Sequence, residues 1–438
     1  MKKKYLASLL LGLAIVNTAC KDIDTDEIYQ KEFHKILYLK TSGVVDMTLY
    51  KTGEDTEYSF SVIKAGAFPE LTADVSLKPM TNEELEDYCA PRGLNFKALP
   101  EDCYTLSESN LHFGTEDRYK LINMSMHTTK IDEAPDASPS EYVIPVILKS
   151  ENDSINANMN VLIIRPDVVV PAVSFAEKGL VTKYCGEGET ILEIPLQIQI
   201  DNKWDFTCEV EVDPTAGGEY DIVDKGYTLE NNGVVSFKEG TNTSILKVKV
   251  NRAEAGINEV SMTAPVIPLR LKSVSLPTFD IDKTELLLGI SSKYPLTESM
   301  LYTNAQEASE GPLGNILDGS IATYFHSDWH GTVSDPHYVQ VNLPIAINSF
   351  IFSYTNRNSN GNAALASFNV SVSANGTDFT SLKAFAWDVD GLPGGAAETY
   401  NSPIQTPSTP IKSIRFTCNG NWSGGVFFVW SEFSLYGF

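Results

Sequence analysis

The chain has 438 residues, enough for roughly two to four domains with sizeable cores. Its formal net charge of −24 argues against nucleic acid, whose phosphates need clustered Lys and Arg, and disfavours sulfated glycans for the same reason. Past the first twenty residues no apolar run approaches membrane length.

At the N-terminus, Lys2-Lys3-Lys4 is followed by a short apolar stretch, Leu6 to Val16, and by Thr18-Ala19-Cys20. This is the layout of a signal peptide over residues 1–20, too short to serve as a mature membrane span. A small residue directly before Cys resembles a bacterial lipoprotein signal, which implies lipidation of Cys20, although Asn17 stands where that motif carries Leu. An ordinary secretory signal with a chance Cys is the other reading. The acidic linker over residues 21–33 begins Lys-Asp-Ile-Asp-Thr-Asp-Glu27 and resembles the export tag of Bacteroidetes surface lipoproteins. That likeness implies a protein held to the outer membrane by lipid alone and facing outward. The five further cysteines leave at least one unpaired. Cys89 with Cys103 would close a short loop, worth up to about 3 kcal/mol in an oxidising compartment. Cys185 with Cys208 is a second candidate pair, and none of the cysteines, Cys418 included, has zinc-site spacing.

Two motifs recur at one spacing. Tyr104-Thr-Leu106 returns as Tyr227-Thr-Leu229, and Tyr142-Val-Ile-Pro-Val-Ile-Leu-Lys-Ser150 as Pro265-Val-Ile-Pro-Leu-Arg-Leu-Lys-Ser273, each displaced by 123 residues. Such a period exceeds that of solenoids, so each copy should be a domain in itself, over 34–166 and 167–290. Polar and apolar residues alternate in Tyr58 to Val62, Ile191 to Ile200 and Ser244 to Val250, which predicts strands with one wet face. Gly, Asn, Asp and Pro punctuate them at short intervals, as in two tandem immunoglobulin-like sandwiches. A helix is expected around Asn82 to Tyr88. Asp24 to Tyr38 and Tyr104 to Thr115 resemble the uncharacterised N-terminal domain that opens many Bacteroidetes surface lipoproteins, which implies no chemistry.

From about residue 291 the composition changes. The last third holds half of the aromatics and four of the five Trp, with five Lys or Arg against eleven Asp or Glu. Few charges and many Trp, Tyr, Asn, Ser and Gly suit neutral, hydroxyl-rich ligands. Strands are expected at His337 to Leu343, Ser349 to Tyr354, Ser367 to Ser373 and Ser413 to Thr417, with a hairpin turn at Ala374 to Thr377. Long polar loops at Asn356 to Asn362 and Val389 to Pro410 leave room for recognition. Phe427 to Gly437 reads as one apolar strand carrying a single carboxylate, Glu432.

Four elements of this region, in order, are Leu317-Asp-Gly-x-x-x-Thr323, Tyr338-Val-Gln-Val-Asn-Leu343, Ser373-x-Asn-Gly-x-x-Phe379 and Ser431-Glu-Phe-Ser-Leu-Tyr-Gly437. Together they resemble the discoidin, or coagulation factor 5/8 type C, family, the fold of family 32 carbohydrate-binding modules. The likeness covers residues 291–438 and implies a jelly-roll β-sandwich closing an all-β chain. It also implies a structural calcium ion tying the first loop to the last strand, with Asp318, Ser320 through its carbonyl, Thr323 and Glu432 as ligands. A capped turn at Asp318 and a solvated sheet edge at Glu432 are the plainer reading.

For the ligand, His326 and Trp329 resemble the family's sugar-contacting pair, since sugars offer apolar faces to rings and hydroxyls to fixed donors and acceptors. Arg357 with Asn356 matches the family's polar clamp on the same rim. Trp422 sits in a loop too Gly-rich to bury it, and Glu310 is a further hydroxyl acceptor. His326 is equally readable as a structural histidine. Trp430 belongs to the core, Trp204 to packing, and Trp387 stays open. No hydrolase motif, Gly-x-Ser-x-Gly, His-Glu-x-x-His or phosphate loop is present.

The expectation is a non-enzymatic surface lipoprotein that captures neutral glycan through its C-terminal module, beside an outer-membrane glycan importer and surface glycosidases. Two alternatives stay open: a surface endoglycosidase with a targeting module, and an adhesin gripping a host protein or cell.

Overall fold

The computed structural model describes residues 30–134, 141–359 and 361–438. Cys20, the signal peptide and the acidic stretch to Glu27 lie outside them. Among the described residues no helix is long and apolar enough to cross a membrane. The chain divides into two compact units, one ending at Pro171 and one running from Ala172 to Phe438.

The first unit is a sandwich of two sheets. One orders its strands Ser154–Ile155, Ile36–Leu39, Thr56–Ala65, Tyr119–Met126 and Tyr104–Leu106; the other runs Gly43–Tyr50, Val161–Val169, Tyr142–Lys149, Ala73–Pro79 and Asn110–Phe113. Period-two alternation turns Phe60, Val62, Ile122 and Met124 inward, where they meet Leu77, Phe113, Ile144 and Ile164. The expected helix forms as Asn82–Cys89, and Thr81 and Glu84 close a reciprocal capping box at its start.

The second unit opens with the same plan. Its sheets follow Asp280–Ile281, Ala172–Phe175, Glu189–Ile198, Thr243–Asn251, Tyr227–Leu229 and Gly179–Tyr184, Leu286–Ser291, Val266–Val274, Phe206–Val212, Val234–Phe237. Each strand of a repeated motif takes the place of its counterpart. In both copies the last long strand pairs in parallel with the second one, as Val161–Val169 does with Gly43–Tyr50 and Leu286–Ser291 with Gly179–Tyr184. The duplication read from the sequence is therefore a duplication of topology.

Neither expected disulfide forms, because Cys89, Cys103, Cys185, Cys208 and Cys418 are all free and buried. Cys89 and Cys103 fill separate apolar clusters. Cys208 lies in a strand separated by two others from the strand that leads into Cys185, a gap of about 14 Å at sheet spacing, whereas a disulfide needs Cα atoms within about 7 Å.

Residues 291–438 form an antiparallel jelly-roll sandwich. One sheet has the order Leu301–Thr303, Tyr338–Ile347, Ile411–Asn421, Leu365–Ser373, Thr380–Ala386; facing it are Thr399–Asn401, Phe350–Thr355 and Glu432–Gly437. Phe352, Phe368, Phe416 and Trp430, all essentially sealed from solvent, fill the space between them. Two features depart from the sequence reading. The C-terminal apolar run is two strands, since Val429–Trp430 pairs with Phe325–His326 and Glu432–Gly437 with Phe350–Thr355; between them the Ser431 amide bonds to the Thr355 carbonyl at 2.8 Å. The supposed loop from Val389 to Pro410 contains the strand Thr399–Asn401.

Within the second unit the sandwich and the jelly roll are joined through a buried arginine. Arg252 is 2% exposed, with its guanidinium 3.8 Å from the Phe438 ring. It donates to the Cys185 carbonyl at 3.1 Å and to the Ser292 hydroxyl at 3.3 Å.

Candidate functional site

The two-residue strand Phe325–His326 exists because Val429 and Trp430 supply its ladder, and Gly311 lets a neighbouring loop approach it. Gly311 has φ +67°, and a Cβ there would lie 2.5 Å from the His326 nitrogen. Its carbonyl accepts the His326 amide at 3.0 Å. The His326 side chain is 4% exposed. Its Nδ1 lies 2.7 Å from the Ser327 carbonyl, an acceptor that fixes the proton on Nδ1 and leaves Nε2 an acceptor. Burial lowers the imidazole pKa, partly opposed by the Ser327 carbonyl and Glu310, so the ring is neutral at physiological pH. It stacks on the half-buried Phe427, centroids 5.9 Å apart.

Trp329 projects from the next turn and is 46% exposed. Its Nε1 donates to Glu310 Oε1 at 3.1 Å, and Glu310 Oε2 accepts the Tyr324 hydroxyl at 2.9 Å. The indole rests on His330, ring centres 3.8 Å apart. His330 is in turn held 2.9 Å from Glu307, whose carboxyl is pulled down to about 2 chiefly by that bond. Asp328 accepts the Thr332 hydroxyl and the amides of His330 and Val333. Glu307, Asp328 and His330 thus form a polar base beneath an aromatic ring. Arg357 completes the rim, its guanidinium 5.6 Å from the centre of the Tyr324 ring.

His326, Trp329, Glu310 and Arg357 therefore converge, while Asn356 and Trp422 fall elsewhere. Asn356 is 1% exposed, and its amide donates to the carbonyls of Pro393 and Gly395, both at 3.0 Å. It fastens one loop to another and has no donor left for a ligand. Trp422 finds its ring partner in Trp387, 5.2 Å away. Tyr324, Phe427 and the Glu307–His330 support were not read from the sequence. Phe427 was hidden inside an apolar run that looked like uniform core, Val426 to Trp430.

The second cluster joins the first loop to the last strand. Asp318 Oδ1 accepts the Ser320 amide at 2.8 Å, and the Thr323 hydroxyl, with a single proton to donate, lies 2.7 Å from Asp318 Oδ2 and 2.8 Å from the Ser320 carbonyl. Gly319, at φ +77°, makes the turn possible. Facing it, Glu432 Oε1 is buried with no hydrogen-bond partner. Burial, and then the neighbouring Asp318 carboxylate, raise the Glu432 pKa. Two carboxylates, one with a buried unpartnered oxygen, beside hydroxyl and carbonyl oxygens are the donor set a hard cation prefers.

Residues 300–433 match the model of the F5/8 type C domain family, and residues 26–155 that of a family described as an N-terminal domain. The C-terminal third thus carries an F5/8 type C domain, as its four sequence elements implied. No curated protein matches the chain. Among solved structures, a family 32 carbohydrate-binding module of Clostridium perfringens NanJ, in complex with galactose, is 22% identical, covering 31% of this chain and 91% of its own, with a TM-score of 0.26. The C-terminal domain of a Bacteroides fragilis chitobiase is 17% identical over 33% of this chain and 97% of its own, with a TM-score of 0.28. A two-domain Bacteroides fragilis protein of unknown function is 14% identical over 61% of this chain and 94% of its own, with a TM-score of 0.23.

Proposed function

We propose that the F5/8 type C domain is a carbohydrate-binding module and that the protein is a lipid-anchored surface lipoprotein capturing neutral glycan for an uptake system. The observation that carries this reading is the rim itself, where an exposed indole stands beside a neutral histidine, a carboxylate and a guanidinium. The apolar face of a pyranose stacks on Trp329. His326 Nε2 and Glu310 accept from its hydroxyls, and Arg357 donates to a ring or hydroxyl oxygen. Because Trp329 is already fixed by Glu310 and His330, little conformational freedom is lost on binding. A rim of this size supports affinities nearer millimolar than nanomolar, which dense display on a cell would raise.

Calcium fits the Asp318 cluster, where Asp318, Glu432, Thr323 and the Ser320 carbonyl would hold it. Its contribution is structural, since a cation neutralises the pair of facing carboxylates and ties the loop before the rim to the last strand. The anchor at Cys20, the importer and the glycosidases as partners rest on the likeness of the N-terminal sequence to surface lipoproteins.

A glycan array probed with the full chain tests the function. Retention of neutral oligosaccharides without release of reducing sugar is expected. Reducing ends appearing in solution would favour the endoglycosidase reading instead, and retention of host glycoproteins irrespective of their glycans would favour the adhesin.

A further inference from the structure

A second pair of exposed aromatics lies outside the rim, with Trp422 on the loop that ends at Phe427 and Trp387 on a separate helical turn. Trp387 is 53% exposed and Trp422 44%, with their rings 5.2 Å apart and inclined at 48°. Single exposed apolar residues are ordinary, but this pair is held in place from several directions. Trp387 opens the helical turn Trp387–Asp390, whose last carboxylate accepts the Ala386 amide at 2.9 Å and the Lys383 ammonium at 2.8 Å. Trp422 donates its backbone amide to the Ala364 carbonyl at 3.0 Å. Its ring lies directly on Gly394, where a Cβ would come within 2.6 Å of Trp422 Cε2. Glycine is what permits the indole to settle there.

Trp422 is linked to the rim along the chain, and Trp387 through its ring contact with Trp422. The linking loop runs from Asn421 to Phe427: Trp422 stands at its start, and Phe427, which stacks on His326, at its end. Asn421 closes it by donating to the Phe427 carbonyl at 2.8 Å. In the sequence, Arg357 of the rim stands seven positions before Ala364, the residue that holds Trp422. Trp422 and Phe427 are five positions apart in the chain, a reach of about 17 Å at most. The surroundings are poor in cations. In residues 356–364, 383–398 and 419–427 the basic residues are Arg357, at the rim, and Lys383, which Asp390 engages. Asp388 and Glu398 lie in the same segments. An anionic chain would meet repulsion, whereas a neutral one meets two apolar rings and glycine-rich backbone.

We infer that Trp387 and Trp422 form a second stacking platform, so that the module takes a neutral oligosaccharide extended from the Trp329 rim across both rings. This rests on the carbohydrate reading of the rim and adds chain length to what the module recognises.

Calorimetric titration of the full chain with gluco-, galacto-, manno- and xylo-oligosaccharide ladders of one to about six sugars tests it. On the ladder that binds, affinity should climb at least tenfold from the single sugar to the longer chains. Trp387→Ala should leave the single-sugar affinity unchanged and abolish the climb, and Trp422→Ala should also flatten it. Both rings are exposed, so an unchanged melting temperature will show that the variants fold. A flat ladder, or a climb that survives Trp387→Ala, overturns the platform alone. Binding of none of the ladders overturns the carbohydrate reading, and the platform with it.

Discussion

Glu432 illustrates what one buried carboxylate does to the chain. Its pKa is raised by burial and by Asp318, so without a cation the native state takes up a proton at a pH where the unfolded chain has lost it. Stability should then increase as pH falls through the raised value toward the ordinary carboxylate range, because the native state binds more protons there. Calcium competes with that proton, so the melting-temperature gain on adding calcium should grow with pH and vanish under chelation. Melting curves at several pH values check both signs; a gain that is absent or independent of pH would mean that Asp318 and Glu432 are turn and edge residues only. The candidates Asp318, Thr323 and Glu432 were legible because their order in the sequence matched a family pattern. The polarity of Asn356 suggested a ligand contact, whereas in the structure the residue is buried, its amide donates to the Pro393 and Gly395 carbonyls and its Oδ1 has no protein partner. Sequence shows that a polar group needs partners, not whether protein or ligand provides them.

The loop from Asn421 to Phe427 depends on one side chain. Asn421 Oδ1 accepts the amides of Ser423 at 3.0 Å and Gly425 at 2.7 Å, together with the Ser423 hydroxyl at 2.9 Å. Its Nδ2 holds the Phe427 carbonyl, and the residue is 4% exposed. Asn421→Ala should cost about 2 kcal/mol through unsatisfied amides and lower the melting temperature by about 5 °C. It should also weaken glycan binding, because Phe427 and Trp422 lose their fixed spacing. An unchanged melting temperature would show that the loop holds its own shape. Strand periodicity located the long strands Tyr338–Ile347, Phe350–Thr355, Leu365–Ser373 and Ile411–Asn421 but not Leu301–Thr303, Phe325–His326, Thr380–Ala386 or Thr399–Asn401, and it merged Val429–Trp430 with Glu432–Gly437, since hydrophobicity does not record the change of pairing partner at Ser431. Nor does it show whether cysteines meet. With all five described cysteines free, melting with and without reductant should coincide, and a reductant-sensitive transition would contradict that assignment.

On the scale of the whole chain, the repeat displaced by 123 residues foretold two copies of one topology. It could not foretell that the second copy and the jelly roll share one compact unit. Beside the Tyr184–Tyr294 ring contact and the Asn348–Glu187 hydrogen bond, their union includes Arg252, which acts through carbonyl, hydroxyl and ring contacts. Arg252→Ala should remove those contacts at a cost of about 3 kcal/mol and separate the unfolding of residues 172–438 into two calorimetric transitions. A single, unshifted transition would show that the two domains are coupled by other contacts. The central claim remains that the rim at Trp329 binds carbohydrate. Isothermal titration of the best glycan from the array into wild type and Trp329→Ala tests it most directly. The account predicts at least a tenfold loss of affinity, about 1.4 kcal/mol, with an unchanged melting temperature, since the indole is 46% exposed. Equal affinity in the two proteins would contradict it.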